Sequence, residues 1–122
     1  MLTGLDHVQV AAPRAAEAAA RSFYGEALGL AEVAKPPNLA ARGGLWFALP
    51  DGRQLHVGVT DGFAPATKAH PAFLVRDIDA LRARLEQAGI ATREDEPLAG
   101  ARRFYADDPF GNRLEFLERE AG

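Results

Sequence analysis

Four residues of this chain carry side chains suited to holding a divalent cation: His7, His56, His70 and Glu115. Neutral imidazole and carboxylate are ligands for first-row divalent metals, and two or three histidines with one glutamate leave positions open for a substrate. The four are spaced repetitively. His7 is followed by His70 at nearly the interval that separates His56 from Glu115, so two halves of the chain offer two candidate ligands each. A lone histidine in a strand is ordinarily a hydrogen-bonded polar residue, but four in repeat register read as a set. His56 has two readings, a ligand or a donor that orients another ligand. The donors admit Zn, Ni, Mn, Co or Fe(II) without choosing among them.

Other residues are candidates for the walls of such a site. Gln9 shares a strand face with His7. Trp46 and Phe47 are adjacent, so one faces a core and the other a pocket. Arg103 could hold an anionic group, and Tyr105 could serve as a general acid or as a donor to a substrate oxygen. Each also has a structural reading, as a packed aromatic or a surface charge.

The elements that must position these residues follow from periodicity. Residues 5–11 alternate, with Val8 and Val10 on one face and His7 and Gln9 on the other, as in a half-buried strand. Pro13 opens an Ala-rich segment with Ala16, Ala20, Phe23 and Ala27 at helical spacing, and Gly29 is a natural stop. Extended runs follow at 31–35, 45–49 and 54–60, the last two split by the turn Pro50-Asp51-Gly52. After the linker-like DGFAPATK at 61–68 the order begins again. A strand at 70–75 leads to a helix capped by Asp77, with Ile78, Leu81, Leu85 and Ala88 as its apolar stripe. Runs at 90–93, 103–106 and 113–117 complete the second half.

The repeat is also visible in the residues themselves. Residues 51–56, DGRQLH, align without a gap on residues 110–115, FGNRLE, which places His56 on Glu115 and Trp46-Phe47 on Tyr105-Ala106. Strand alternation puts Leu55, Val57, Leu114 and Phe116 toward the helices and the four candidate ligands on the opposite, concave face. The fold class is therefore α+β, built from two βαβββ modules.

Composition bounds the partners. A chain of 122 residues with 48% apolar and 25% charged residues builds one globular domain. A net charge of −3 offers no basic footprint for nucleic acid or anionic membrane. There is no cysteine, hence no thiolate ligand, no disulfide and no cysteine nucleophile. The N-terminal MLTGLDHVQV lacks a signal-peptide pattern and no run is long enough to span a bilayer, so the expectation is a cytoplasmic protein acting on a small molecule.

Within this doublet, FYGEALGL at 23–30, HPAFLVRD at 70–77 and DPFGNRLEF at 108–116 resemble the vicinal oxygen chelate superfamily over roughly residues 4–118. That superfamily includes glyoxalase I, fosfomycin-resistance thiol transferases, bleomycin-resistance proteins, methylmalonyl-CoA epimerase and extradiol dioxygenases. The resemblance implies one domain over 1–122, with modules at 4–60 and 69–118 joined by the linker 61–68 and a mixed sheet curled around a cavity. It implies a metal-dependent lyase, isomerase, transferase or dioxygenase that chelates its substrate through vicinal oxygens. It also implies a homodimer whose sites draw on both subunits. His7, His70 and Glu115 match the family's His-His-Glu set. His56 stands where glyoxalase I has a glutamate that binds the metal and shuttles a proton, which argues against that activity. YADDPFGNRLE at 105–115 resembles the extradiol dioxygenase signature, but residues 96–100 lack the histidine that signature needs. The alternative is a sequestering protein of the bleomycin-resistance type, whose cavity only holds a drug.

Overall fold

The computed structural model describes residues 1–121. The chain forms two compact units, Met1–Pro65 and Ala66–Gly122. Each contains one four-stranded mixed sheet.

In the first unit, β1 (His7–Ala12) is followed by α1 (Glu17–Ala20), which continues as a π-helical segment, Arg21–Ala27. Then come β2 (Ala31–Val33), the short α2 (Pro37–Ala40), β3 (Leu45–Ala48) and β4 (Gln54–Val59). The sheet order is β1-β4-β3-β2, with β1 parallel to β4 and the other pairs antiparallel. The parallel pair needs a crossover, and the helical segment after β1 supplies it.

The helix expected from Pro13 onward begins later. Ala15 sits at a φ of 60°, in the left-handed region, which interrupts the helical path between Pro13 and Ala16. Beyond Ala20 the turn widens, and Leu28 N–H donates to the carbonyl of Phe23, five residues back. The wider turn brings the neighbouring rings of Phe23 and Tyr24 inward together, where both are buried and meet edge to face with centroids 4.9 Å apart. Phe47, Leu55 and Val57 complete this core from the sheet side.

The second unit repeats the plan. It has β5 (Ala72–Leu74), α3 (Ile78–Gln87), β6 (Thr92–Arg93), β7 (Ala101–Asp107) and β8 (Arg113–Arg119). The order is β5-β8-β7-β6, again with the first and last strands parallel. The Asp77 side chain caps α3 by accepting from Ala80 N–H at 3.1 Å. Of the expected stripe, Ile78 and Leu85 are buried and Leu81 is half-buried. Ala88 is exposed, because the helix ends at Gln87 and turns away. Leu85 lies in a core with Phe104, Leu114 and Phe116, and the rings of Phe104 and Phe116 stack at 5.2 Å. The fold class read from sequence, α+β in two βαβββ repeats, is the one observed.

Gly44, at the entry to β3, holds a φ of 84°, and a Cβ there would lie 2.1 Å from the carbonyl oxygen of Val57. Gly52, in the β3–β4 turn, has a similar φ of 91° but nothing within 4 Å. Both substitutions with alanine cost the left-handed penalty, about 1–2 kcal/mol, and Gly44→Ala adds a backbone collision. We expect Gly44→Ala to destabilise the protein by about 3 kcal/mol or more and Gly52→Ala by about 1 kcal/mol in urea unfolding. Equal costs would contradict the register of β3 on β4.

Candidate metal centre

Strand pairing places the candidate residues in matched positions. In the first sheet Gln9 lies opposite His56 on one side and Trp46 lies opposite His56 on the other. In the second, Ala72 and Tyr105 flank Glu115 in the same way. His7 precedes Gln9 by two residues and His70 precedes Ala72 by two, so each histidine is diagonal to the residue on its unit's last strand.

The second unit supplies an imidazole–carboxylate pair. His70 Nε2 lies 2.9 Å from Glu115 Oε1, and His70 Nδ1 donates to the carbonyl oxygen of Lys68 at 2.8 Å. That backbone bond fixes the ring and leaves Nε2 aimed at the carboxylate, the arrangement by which ligating histidines are oriented. Both partners of His70 are acceptors, so a cation, either a proton or a metal ion, is needed between Nε2 and Oε1. Two donors at 2.9 Å are spaced as adjacent ligands of a metal with bonds of about 2.1 Å. Glu115 is buried, 7% exposed.

Around this pair lies a basic and aromatic wall. Arg103 is 3.6 Å from Glu115 Oε2, donates to the Tyr105 hydroxyl at 3.0 Å and to the Glu96 carbonyl oxygen at 2.6 Å. The Tyr105 ring meets His70 edge-on at 5.5 Å. The guanidinium groups of Arg93, Arg103 and Arg113 all lie within 6 Å of its centroid. Arg102 points the other way, into an exposed ion pair with Asp79 at 2.6 Å.

The first unit is built differently. His7, His56 and Trp46 form a column of rings. His56 stacks on Trp46 at 4.0 Å with planes 3° apart, and His7 stacks on His56 at 4.1 Å and 18°. His7 Nδ1 faces Asp6 Oδ2 at 2.9 Å, which leaves its Nε2 free, whereas His56 donates through Nε2 to Gln54 Oε1 at 2.9 Å. Nitrogen lone pairs lie in the ring plane, so two nearly parallel rings 4.1 Å apart direct theirs side by side and not at one point. Burial pushes His56 below the ordinary histidine range, the charges of His7 and Lys35 act in the same direction, and Asp6 opposes them. These effects together favour the neutral form of the His56 ring inside the stack. Among the described residues no three His, Asp or Glu side chains are gathered closely enough to hold a metal ion. The candidate donors stand as two pairs, one in each unit.

A cavity of about 710 Å³ opens over the first sheet, lined by His7, Gln9, Trp46 and His56 among others. Phe47 is wholly buried, so of the adjacent aromatics it is Trp46 that faces the cavity and Phe47 that packs in the core. Gln9 lies across Gly58, where a Cβ would come within 2.4 Å of its amide nitrogen. Sequence reasoning missed Asp6, Gln54, Lys35 and Arg42. Strand alternation could have found Gln54, two residues before His56. Lys35 and Arg42 lie in the excursion between β2 and β3, which has no period to read.

With this geometry in view, the comparisons give the class. The chain matches the Glyoxalase/Bleomycin resistance protein/Dioxygenase superfamily over residues 4–116, and it belongs to that family. A glyoxalase family protein from Bacillus anthracis is 47% identical over 98% of both chains, with a TM-score of 0.95. The oxidase ChaP-H2 is 28% identical, covering 100% of this chain and 98% of its own, with a TM-score of 0.73. A fosfomycin resistance protein, FosX, from Listeria monocytogenes shares the fold at 18% identity, with a TM-score of 0.75 over 95% of this chain and 91% of its own. No curated protein sequence matches the chain. No helix among the described residues is long and apolar enough to cross a membrane.

The hydrogen bonds assign opposite tautomers to the stacked rings. His7 is expected to carry its proton on Nδ1 and His56 on Nε2. Long-range ¹H–¹⁵N correlation spectra of the metal-free protein at neutral pH read this directly. An Nδ1–H tautomer at His56 would contradict the column as described.

Proposed function

We propose that this protein is a divalent-metal-dependent enzyme that binds a small substrate through vicinal oxygens, with His7, His70 and Glu115 as its metal ligands. The observation that carries the reading is the His70–Glu115 pair. Two buried or half-buried acceptors face each other at 2.9 Å, with the outer ring nitrogen already fastened to the backbone. His7 contributes the free Nε2 of a ring held from behind by Asp6. We assign its union with His70 and Glu115 to a homodimer whose sites draw on both subunits, in keeping with the family. A divalent metal bound by these donors would supply Lewis-acid stabilisation of negative charge on the substrate's oxygens.

The chain's own residues then have separate tasks. Glu115 supplies the carboxylate and Arg103 holds it through the contact at 3.6 Å. Tyr105 accepts from Arg103, which leaves its hydroxyl proton available to a substrate oxygen. His56 is assigned as a positioning residue whose ring sets the plane of His7, and this departs from a four-ligand set. Trp46 and Gln9 form the floor on which the substrate rests. The departure at His56, where a glutamate would be a base, points away from glyoxalase I chemistry and toward a reaction that takes its proton elsewhere.

Metal content of the purified protein, with Ni, Zn, Mn, Co and Fe(II) offered separately, tests the reading. Wild-type protein is expected to bind one metal per chain. Glu115→Ala is expected to abolish binding, whereas His56→Gln should weaken it about 10–100-fold, as loss of an outer partner does. A wild-type protein with no affinity for any of these metals would overturn the enzyme reading and favour a cavity that only sequesters its ligand.

A further inference from the structure

The cavity of the first unit carries charge that the proposed ligand set leaves unused. The basic residues of that unit are Arg14, Arg21, Lys35, Arg42 and Arg53. Arg14 pairs with Asp61 at 2.6 Å, Arg21 with Glu32 at 2.7 Å and Arg53 with Asp51 at 3.0 Å. Among the described residues, Lys35 and Arg42 have no carboxylate within ion-pair distance, and these are the two that line the cavity. The unit has thus neutralised its cations everywhere except at this opening.

The two are also held together. The Lys35 ammonium donates to the carbonyl oxygen of Gly43, the residue after Arg42, so its stem is fastened to the backbone next to Arg42, and both residues line the same cavity. An ammonium has three donors, and that bond uses one. The Arg42 fork is matched to a carboxylate or phosphonate edge. Asp6 also lines the cavity, but its carboxylate is engaged by His7 Nδ1. Lys35 and Arg42 share this cavity with the ring column of His7, His56 and Trp46. The cavity volume suits a small organic ligand.

We infer that the cavity takes a small organic anion, whose carboxylate or phosphonate group is held between Lys35 and Arg42 while its remaining body lies over Trp46 toward His7. This names the substrate class of the proposed enzyme and rests on the reading that this cavity is its substrate site. The two cations are then specificity residues. They favour anionic over neutral analogues of the same shape, because an uncharged amide leaves both without a partner.

Trp46 is the chain's single tryptophan, so its fluorescence reports on the cavity floor. Metal-free protein is titrated with mandelate, phenylphosphonate and neutral mandelamide. One or both anions should bind about tenfold or more tightly than mandelamide, and the tighter one identifies the preferred oxyanion. The combined Lys35→Gln and Arg42→Gln variant should lose that preference, Lys35→Arg should keep most of it, and Arg14→Gln should leave it unchanged. Failure of both anions to bind, equal affinity for mandelamide, or an unchanged preference in the double variant would overturn the inference. Because no metal is present, this result stands apart from the metal-content test. Anion preference without metal affinity would remove the enzyme reading and leave the anion site.

Discussion

Parallel pairing of the first and last strands in each unit is the constraint on which everything else rests. β1 against β4 and β5 against β8 are the only parallel contacts in their sheets among the described residues. Their register decides which residues meet: a one-residue slip would turn His56 or Glu115 into the core and Leu55 or Leu114 out of it. The register is fixed from the apolar side, where Leu55 and Leu114 are completely buried. Core packing therefore holds the polar face in place, and His70 can sit 2.9 Å from Glu115 without being a strong contact in its own right.

The same scaffold carries unequal chemistry in its two copies. At equivalent positions the second unit has a carboxylate flanked by a tyrosine, and the first has an imidazole flanked by a tryptophan. The carboxylate demands a cation and has Arg103 at 3.6 Å, beside a tyrosine ring with three guanidinium groups around it. The imidazole, sandwiched between flat rings, is pushed toward its neutral form by burial and by nearby positive charge. One copy is built to hold charge and the other to hold shape. Under the proposed function, this division would let the second copy supply the imidazole–carboxylate pair and the first supply His7 and the substrate floor.

Much of this was legible in the sequence, for a physical reason. Strands have a period of two and the duplicated turns align without a gap, so the element order, the alternation of polar and apolar faces and the equivalence of His56 with Glu115 can be read directly. Three features were not legible. The late start of α1 depends on the left-handed Ala15, whose side chain gives no hint of it. The ring stack that separates His56 from a shared ligand role depends on side-chain planes, which alternation does not specify. Lys35 and Arg42 come from an aperiodic excursion, and only three-dimensional placement shows that they are the first unit's unpaired cations. Arg103 was recognisable as a candidate, but its bonds to Tyr105, Glu115 and the Glu96 backbone need coordinates.

The central claim, that His7 of one chain and His70 with Glu115 of another complete one metal site, is tested most directly by complementation. His7→Ala and Glu115→Ala proteins are unfolded together, refolded as a mixture and assayed for bound divalent metal. Each variant alone should bind none. The mixture should recover roughly a quarter of wild-type capacity, since half the dimers are mixed and each mixed dimer has one intact site. A mixture that stays as empty as its components would contradict the shared site.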